Sequence, residues 1–407
     1  MQLNSNNNIF VQYIQKEDIF RDKKTLSSAF VPQKIAHRDI EINQISSMLA
    51  PVLRGYKPNN IFIYGTCGTG KTICARFIVS QLKDAVKAAG KGLRVLYVNC
   101  KMKGVSDTEY RLFAHLIKEM GGVVPDTGLP TDVVMRKFFD MIDSKDSQVI
   151  IILDEIDTLV KKIGDAFLYN LTRADPKKTY ITIVGVTNDT SFRDNLDLRV
   201  KSSLSEEEIL FKPYNALQLR DIIMERVRDG FKDGAVSDEV VGKCAAIAAQ
   251  EYGDARRALD LIRVAGELAE RAGELVVTES HISTAQQKLD LDRVTETVRS
   301  QPSHSQAVLY SILRLNEKTS TAGGWKDRRM LTGDVFETYT EICSANGMKP
   351  LTQRRISDLI GELDMLGIIT ARVVSNGRYG RTRDISMAVK DDGLMRVKNL
   401  MVERFGE

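Results

Sequence analysis

Five short apolar runs, separated by longer helix-compatible segments, restrict the first half of this chain to one kind of fold. The runs are rich in β-branched residues, and each has the length of a buried strand. Strands that alternate with helices form a parallel sheet whose two faces the helices cover. The sequence therefore predicts an α/β fold with a parallel sheet. The five runs are NIFIYG, LRVLYVNC, VIIILDEID, TYITIVGVTN and EEILFKP.

Two further patterns follow the strand runs. The sequence is helix-compatible from residue 213 to about residue 292. After that, helices precede GIITARVVSNGRYGRTRDISMAV, in which two alternating strand runs flank a Gly-rich turn, as in the hairpin of a winged helix. The predicted domains are an α/β core with an N-terminal extension over 1–212, an α-helical lid over 213–292 and a C-terminal winged-helix domain over 293–407.

The segment GTCGTGKT, residues 65–72, lies between the first strand run and an amphipathic helix. Glycines let successive backbone N–H groups face one anion, and the helix that starts here adds the positive end of its dipole. Lys71 is then predicted to reach the β and γ phosphates of ATP, and the Thr72 hydroxyl to bind Mg²⁺. The predicted ATP/ADP-binding residues of this loop are Gly65, Thr66, Cys67, Gly68, Thr69, Gly70, Lys71 and Thr72.

Two adjacent carboxylates, Asp154 and Glu155, end the third strand run. They are expected at the C-terminal edge of the sheet, where ligands bind in open α/β folds. Asp154 is predicted to hold Mg²⁺ through water, and Glu155 to polarise an attacking water. Because the adjacent glutamate favours a hydrolase over a kinase, the predicted activity is ATP hydrolysis.

Three polar residues outside these motifs are candidates to complete a site for phosphoryl transfer. Asn188 follows the fourth strand run and is placed to help position the water. Arg199 lies in LDLRVKSS, and Arg256 lies early in a helix, in YGDARRALD. An isolated arginine is usually a solvated surface residue, so the surrounding sequence is what makes these two candidates.

Composition is typical of a globular protein in a reducing compartment. Hydrophobic residues make up 43% and charged residues 28% of the chain. The five cysteines are scattered without a CxxC pair, which argues against a disulfide framework or a zinc site. The sequence has neither a run of about 18 apolar residues nor an N-terminal signal pattern. The predicted location is the cytoplasm, in association with the nucleoid.

The net charge of +4 is confined to the last third of the chain. Of the 58 Lys and Arg and the 54 Asp and Glu, 18 and 14 lie from Arg293 onward, which leaves 40 of each before it. A basic C-terminal module indicates an anionic partner.

The stretch KPLTQRRISDLIGELDMLGIIT is predicted to be a recognition helix. Thr352 is placed to cap it, and Gln353, Arg354 and Arg355 lie near its N-terminus, the part that enters the major groove in helix-turn-helix proteins. The turn of the hairpin, SNGRYGRTR, offers Arg378, Tyr379 and Arg381 to phosphates or to a minor groove. The alternative is a winged helix that binds protein. The predicted buried stripe is Ile356, Leu359, Ile360 and Leu363.

The motifs together resemble those of one family. GTCGTGKT, IIILDEID, VGVTND, LDLRVKSSL and YGDARRALDLIR occur in the order of an AAA+ ATPase, and the chain from about residue 25 onward looks most like the archaeal origin-recognition and cell-division-control replication initiators. The segment LPTDVVMRKFFDMI matches in position the extra helix that marks initiators, although most of its apolar residues are expected in the core.

The resemblance implies roles for single residues. Asn188 is the sensor-1 residue, Arg199 the arginine-finger candidate and Arg256 the sensor-2 arginine of the lid. The segment VPQKIAHRDIEI is similar to the family's adenine-pocket segment. The residues nearest the base are then Val31, Pro32, His37 and Arg38.

The sequence therefore predicts an ATP-dependent replication initiator that binds double-stranded origin DNA. ATP is expected to act as a switch with slow turnover, and the other partners implied are further initiator subunits and the replicative helicase. One alternative is an AAA+ clamp loader or helicase motor with fast DNA-stimulated hydrolysis. Another is a signalling ATPase whose winged helix binds protein.

Overall fold

A computed structural model describes residues 17–28, 30–102, 104–105, 107–125, 127–143, 148–173, 179–321, 330–375, 381–389 and 391–406. The chain divides into two compact units, 1–282 and 283–407. Within the described residues, no helix has the length and apolar character needed to cross a membrane.

A five-stranded sheet forms the centre of the first unit, with strands β1 (Asn60–Tyr64), β2 (Leu93–Asn99), β3 (Gln148–Asp154), β4 (Ile181–Thr187) and β5 (Glu206–Leu210). Neighbouring strands are parallel, in the order β2-β3-β4-β1-β5. All residues of β1 and β4 are buried because helices cover both faces of the sheet. The predicted parallel sheet and its five strands are confirmed. The order brings the carboxyl ends of β3, β4 and β1 side by side.

Helices surround the sheet, and α2, which begins at Lys71, is the one that places the phosphate loop. It starts there because Gly70 adopts a φ of 92°, a left-handed conformation that glycine tolerates. In the extra helix α4, Val134, Phe138 and Ile142 are buried in the core. The core helices are α1 (Asp39–Leu49), α2 (Lys71–Ala88), α3 (Glu109–Glu119), α4 (Thr131–Asp143), α5 (Ile156–Ile163), α6 (Ala166–Arg173) and α7 (Leu198–Leu204).

A helical lid follows the sheet, formed by α8 (Ala216–Gly230), α9 (Asp238–Gln250) and α10 (Ala255–Ala272). Side chains of Asn215, Ser237 and Asp254 cap these helices by accepting backbone N–H groups of the first turn. The N-terminal segment packs on the lid, where the rings of Phe20 and Phe231 have centroids 4.8 Å apart. The predicted lid is confirmed.

The second unit is a winged helix, into which α11 (Glu279–Ser300) leads. Strands β7 and β8 form an antiparallel hairpin, and β6 pairs with β8. The hairpin was predicted from the sequence, whereas β6 was not, because two residues carry no periodic pattern. Its other elements are α12 (Ser303–Thr321), β6 (Met330–Leu331), α13 (Thr332–Ala345), α14 (Gln353–Met365), β7 (Ile369–Ser375), β8 (Arg381–Met387) and α15 (Asp391–Phe405).

The predicted recognition helix is α14, and its two local predictions are confirmed. The Thr352 side chain caps it by accepting the backbone N–H of Arg355. The apolar stripe turns inward and joins the core of the winged helix, which leaves the opposite face of α14 to solvent. The buried stripe consists of Ile356, Leu359, Ile360 and Leu363.

Candidate functional site

The phosphate loop encloses the side chain of Lys71, which is only 5% exposed. Its ammonium donates to the carbonyl oxygens of Gly65 (2.8 Å) and Thr66 (2.7 Å) and to Oδ1 of Asn188 (2.9 Å). Burial lowers the pKa of Lys71 to about 8, and the nearby Arg256 guanidinium acts in the same direction. The structure thus brings Lys71 and Asn188 together, at the adjoining ends of β1 and β4.

Glycine is required at two places where the lid approaches this loop. Gly68 has a φ of 71°, and a Cβ there would lie 1.7 Å from Oδ1 of Asp254. At Gly70 a Cβ would lie 2.8 Å from the Tyr214 hydroxyl. The backbone N–H of Ala255 also donates to the Gly68 carbonyl oxygen at 3.2 Å. The lid therefore contacts the loop directly, and a side chain at either glycine would collide with it.

Both carboxylate oxygens of Asp154 accept hydrogen bonds. The Thr72 hydroxyl donates to Oδ1 at 3.1 Å, and the Tyr97 hydroxyl donates to Oδ2 at 2.7 Å. A hydroxyl and a carboxylate are hard oxygen donors, and Mg²⁺ is typically held by one or two such groups together with phosphates. Thr72 and Asp154 therefore fit the ion, whereas no larger cluster of His, Cys, Asp or Glu suited to a metal occurs in the described ranges.

Tyr97 is a site residue that the sequence did not reveal. Burial and the hydrogen bond to Asp154 raise the pKa of its hydroxyl, and the Cζ of Arg76 lies 4.1 Å from its ring centroid. The contact exists because β2 pairs with β3. A tyrosine near the end of a strand run was the only signal, and it does not tell which strand is the neighbour.

Glu155 adopts a left-handed backbone conformation, with φ at 55° and ψ at 47°. A non-glycine residue in this region is strained, and such strain is common at functional sites. Its carboxylate lies 3.6 Å from the Nζ of Lys101. Glu155 and Asp154 both line the central cavity of this unit, so the two predicted carboxylates share one site.

A cavity of about 290 Å³ extends from the loop toward the N-terminal segment and the lid. Val31 and Pro32 line it, as the adenine-pocket prediction requires. Lid residues that the sequence did not indicate also line it. Their orientation depends on how α8 and α10 pack. They include Ile222, Arg226 and Leu259, together with Tyr214 from the connection to the lid.

His37 and Arg38, also predicted near the base, are not among the described residues that line this cavity. Arg38 is buried, donates from Nε to the Thr69 carbonyl oxygen at 3.0 Å, and stacks 4.0 Å from the Tyr214 ring centroid. The Nε2 of His37 lies 2.9 Å from Oδ2 of Asp221 on the lid. Arg38 thus contacts the loop and His37 contacts the lid, and neither is among the described residues that line the cavity.

The two candidate arginines of the site are placed differently. Arg256, in the first turn of α10, lines the cavity, and its Nη1 lies 3.8 Å from the Sγ of Cys67. The side chain of Arg199, on α7, is 86% exposed and lies 3.7 Å from Asp197. Arg199 is not among the residues described at either cavity of the site, so the structure does not bring it to the loop of its own chain.

A second candidate site is a groove of about 460 Å³ between α14 and the hairpin of the winged helix. Gln353, Arg354 and Arg381, three of the predicted DNA-binding residues, line it. Arg383, which was not predicted, also lines it and donates from Nη1 to the Ser357 carbonyl oxygen at 3.0 Å. The described lining residues include no carboxylate, so the groove suits an anion.

The other residues of this unit that were predicted to contact DNA are not among the described residues that line the groove. Arg355 points to the acidic side of α14, with Nη1 3.3 Å from Glu362 and 3.9 Å from Asp358. It does not line the groove beside Arg354. Arg378 and Tyr379 lie outside the described residues.

Three family descriptions match successive parts of the chain. Residues 54–192 match the AAA domain, residues 220–287 the Cdc6 AAA+ ATPase-type lid domain, and residues 296–397 the CDC6 C-terminal winged helix domain. The lid and winged-helix descriptions are specific to Cdc6-type proteins.

Whole-chain relatives carry the same sequence of domains. The ORC1-type DNA replication protein of Thermococcus onnurineus is 46% identical, covering 96% of this chain and 93% of the relative. The ORC1-type DNA replication protein 1 of Archaeoglobus fulgidus is 46% identical over 93% of this chain and 90% of its own length. The structure of the Aeropyrum pernix ORC1 protein in complex with DNA is 41% identical, with a TM-score of 0.83, covering 96% and 98% of the two chains.

Proposed function

This chain belongs to the family of ORC1-type DNA replication proteins, which are AAA+ ATPases, and we propose that it binds double-stranded origin DNA and uses ATP as the switch for recruiting the replicative helicase. The observation that carries the proposal is that one chain holds both a phosphate cradle around Lys71 and a groove lined by Arg354, Arg381 and Arg383. The DNA complex of the Aeropyrum pernix relative supports the second half of it.

The nucleotide is ATP or ADP, with its phosphates in the loop 65–72. Lys71 exchanges its bonds to the loop carbonyl oxygens for phosphate oxygens, and the backbone N–H groups of the loop donate to the same charges. Thr72 and Asp154 hold Mg²⁺, which supplies charge neutralisation for the phosphates. Val31 and Pro32 contact the base, and His37 and Arg38 keep their segment against the loop and the lid.

Hydrolysis depends on groups that act on the attacking water and on the developing charge. Glu155 orients the water and Asn188 fixes its position. Arg256 brings a lid charge to the phosphates. Arg199 is exposed and is not among the described residues that line either cavity of its own site, so we assign it to the site of a neighbouring subunit. Turnover by one chain alone is therefore slow and rises on assembly.

The winged helix supplies the DNA contacts. Gln353 and Arg354 at the start of α14 read base edges in the major groove, because N-terminal residues of recognition helices point there. Arg381, with Arg378 and Tyr379 beyond the described residues, contacts the sugar-phosphate backbone and positions the protein without reading sequence. Arg355 contributes less, since Glu362 already pairs with it.

The same assignment gives the three regions their roles. The core with its N-terminal extension, 1–212, binds ATP, the lid, 213–292, closes on it, and the winged helix, 293–407, binds DNA. Other initiator subunits and the helicase are the protein partners, and the protein is associated with the nucleoid in the cytoplasm.

Two variants with opposite expected losses test the proposal. Lys71→Ala removes a buried cation that faces two phosphates, so ATP affinity falls roughly 100-fold while duplex binding at low salt persists. The double variant Arg354→Ala/Arg381→Ala loses duplex affinity and keeps ATP affinity. Each variant is the control for the other in calorimetry and fluorescence anisotropy. A parent protein that binds ATP but no duplex at any salt concentration refutes the DNA half.

A further inference from the structure

Arg226 is a buried arginine beside the nucleotide cavity. It lies on α8 and is only 6% exposed. No hydrogen bond or ion pair within 4 Å joins it to any residue that the structure describes. Its Cζ lies 4.7 Å from the centroid of the Phe30 ring, and the charges of Glu225 and Asp229 act on it from beyond ion-pair distance. Burial lowers the pKa of Arg226. Buried charged groups normally have hydrogen-bond partners. The guanidinium N–H groups of Arg226 are therefore available to an acceptor on a ligand.

Arg226 faces the nucleotide cavity. Glu225 and Arg226 follow Ile222 on α8 by three and four residues, so both lie on the side of the helix that Ile222 occupies, and all three line the cavity of about 290 Å³. A smaller cavity beside Lys71 and Asn188 has no contribution from Arg226 among its described lining residues. The guanidinium lies at the ring of Phe30, which directly precedes Val31 and Pro32 in the chain, and therefore toward the end of the cavity that the N-terminal segment lines.

Another buried arginine near the site shows what a structural role looks like. Arg38 is 4% exposed, and its three guanidinium nitrogens bond to Thr69, Glu41 and Lys212. Its donors are used within the protein. Those of Arg226 make no hydrogen bond to a described residue, although the two residues are similarly buried, at 6% and 4% exposed.

We propose that Arg226 binds the nucleoside part of ATP or ADP, with its N–H groups donating to acceptor atoms of the ribose or of the base. The inference rests on the nucleotide binding proposed above and names a further ligand residue for it. The lid would then have two charged contacts with a bound nucleotide, Arg256 at the phosphates and Arg226 at the nucleoside.

The test uses Arg226→Met, which keeps most of the side-chain length and removes the charge and all donors. Arg226→Lys keeps the charge but loses the planar fork. The matched control is Arg220→Met, which changes a half-exposed arginine on the same helix that lies 3.7 Å from Asp238. Calorimetry in Mg²⁺ compares ATP, ADP and inorganic tripolyphosphate, which lacks a nucleoside. GTP and 2′-deoxy-ATP then separate contacts to the base from contacts to the ribose.

Arg226→Met should weaken ATP and ADP equally, about tenfold or more, and leave tripolyphosphate affinity unchanged. The ATP and ADP affinities of Arg226→Lys should lie between those of Arg226→Met and the parent. Those of Arg220→Met should match the parent. Without nucleotide, Arg226→Met should melt no lower than the parent, because a buried charge that has no hydrogen-bond partner among the described residues has been replaced by an apolar group.

Parent-like ATP affinity in Arg226→Met overturns the inference, and so does an equal loss for tripolyphosphate. A lower melting temperature of the nucleotide-free variant with the same loss for every ligand indicates a structural residue and also overturns it. The proposed function fails separately: in that case the parent itself binds neither ATP nor tripolyphosphate.

Discussion

The charged side chains of the two proposed ligand sites differ in burial and in pairing. In the nucleotide site Lys71 and Asp154 are buried, and each has partners inside the protein. In the groove of the winged helix, Arg354 and Arg381 are exposed. The first site is organised before its ligand arrives, whereas the second presents charge to solvent.

This difference predicts how each site responds to change. Removing one member of a buried network leaves its partners unpaired, so single substitutions have large effects. Exposed arginines on a nucleic-acid surface act mainly through phosphate charge, so their effects are graded and depend on salt. The exception within the groove is a residue that contacts a base edge.

The largest effect is expected for a substitution of Glu155. A small effect on turnover would contradict the difference between the two sites. Glu155→Gln keeps the shape of the side chain and removes the charge that orients the water, so turnover should fall about 10²- to 10⁴-fold while ATP affinity is kept. Single-turnover hydrolysis and calorimetry measure the two quantities. Glu119→Gln, a change at an exposed glutamate on α3, is the control. Unchanged turnover in Glu155→Gln removes its role.

A pair of neighbouring arginines sharpens the comparison on the DNA side. Arg354→Ala should reduce the preference for origin over random duplex by about 1–3 kcal/mol, because a contact to a base edge is lost. Arg355→Ala should change it less, since Glu362 and Asp358 already pair with Arg355. Competition binding with both duplexes measures the preference. Equal losses for the two variants would contradict the assignment of Arg354 to the groove.

The smallest expected effect concerns the pH dependence of ATP binding. Burial holds the pKa of Lys71 at about 8, and bound phosphates raise it because they favour the charged ammonium. Affinity should therefore be level just below pH 8 and fall by up to about tenfold per pH unit above it. In Lys71→Arg, which stays charged throughout this range, any remaining affinity should not change. The same slope in both proteins would exclude Lys71 as its origin.

Much of the fold could be predicted from the sequence because the spacing of apolar residues indicates which side chains are buried. Five apolar runs predicted the five strands, and the stripe from Ile356 to Leu363 predicted the buried face of α14. The loop around Lys71 was also predictable, since a strand, a Gly-rich turn and a helix are needed together. These features depend on residues that are close along the chain.

Features that depend on packing between distant segments were not predictable. The bond from Tyr97 to Asp154 requires the strand order, and the direction of Arg226 requires the way α8 covers the cavity. Arg354 and Arg355 are adjacent in sequence, yet the 100° step of a helix turns one to the groove and the other to Glu362.

The most direct test of the central claim is footprinting of the protein on genomic DNA with ATP, for the parent and for Arg354→Ala. The claim is that one chain combines an ATP switch with sequence-specific duplex recognition. It predicts discrete protected sites for the parent, and for Arg354→Ala weaker protection of the same sites with non-specific binding retained. Uniform protection, or none at any salt concentration, would contradict it and would favour a motor or a protein-binding winged helix.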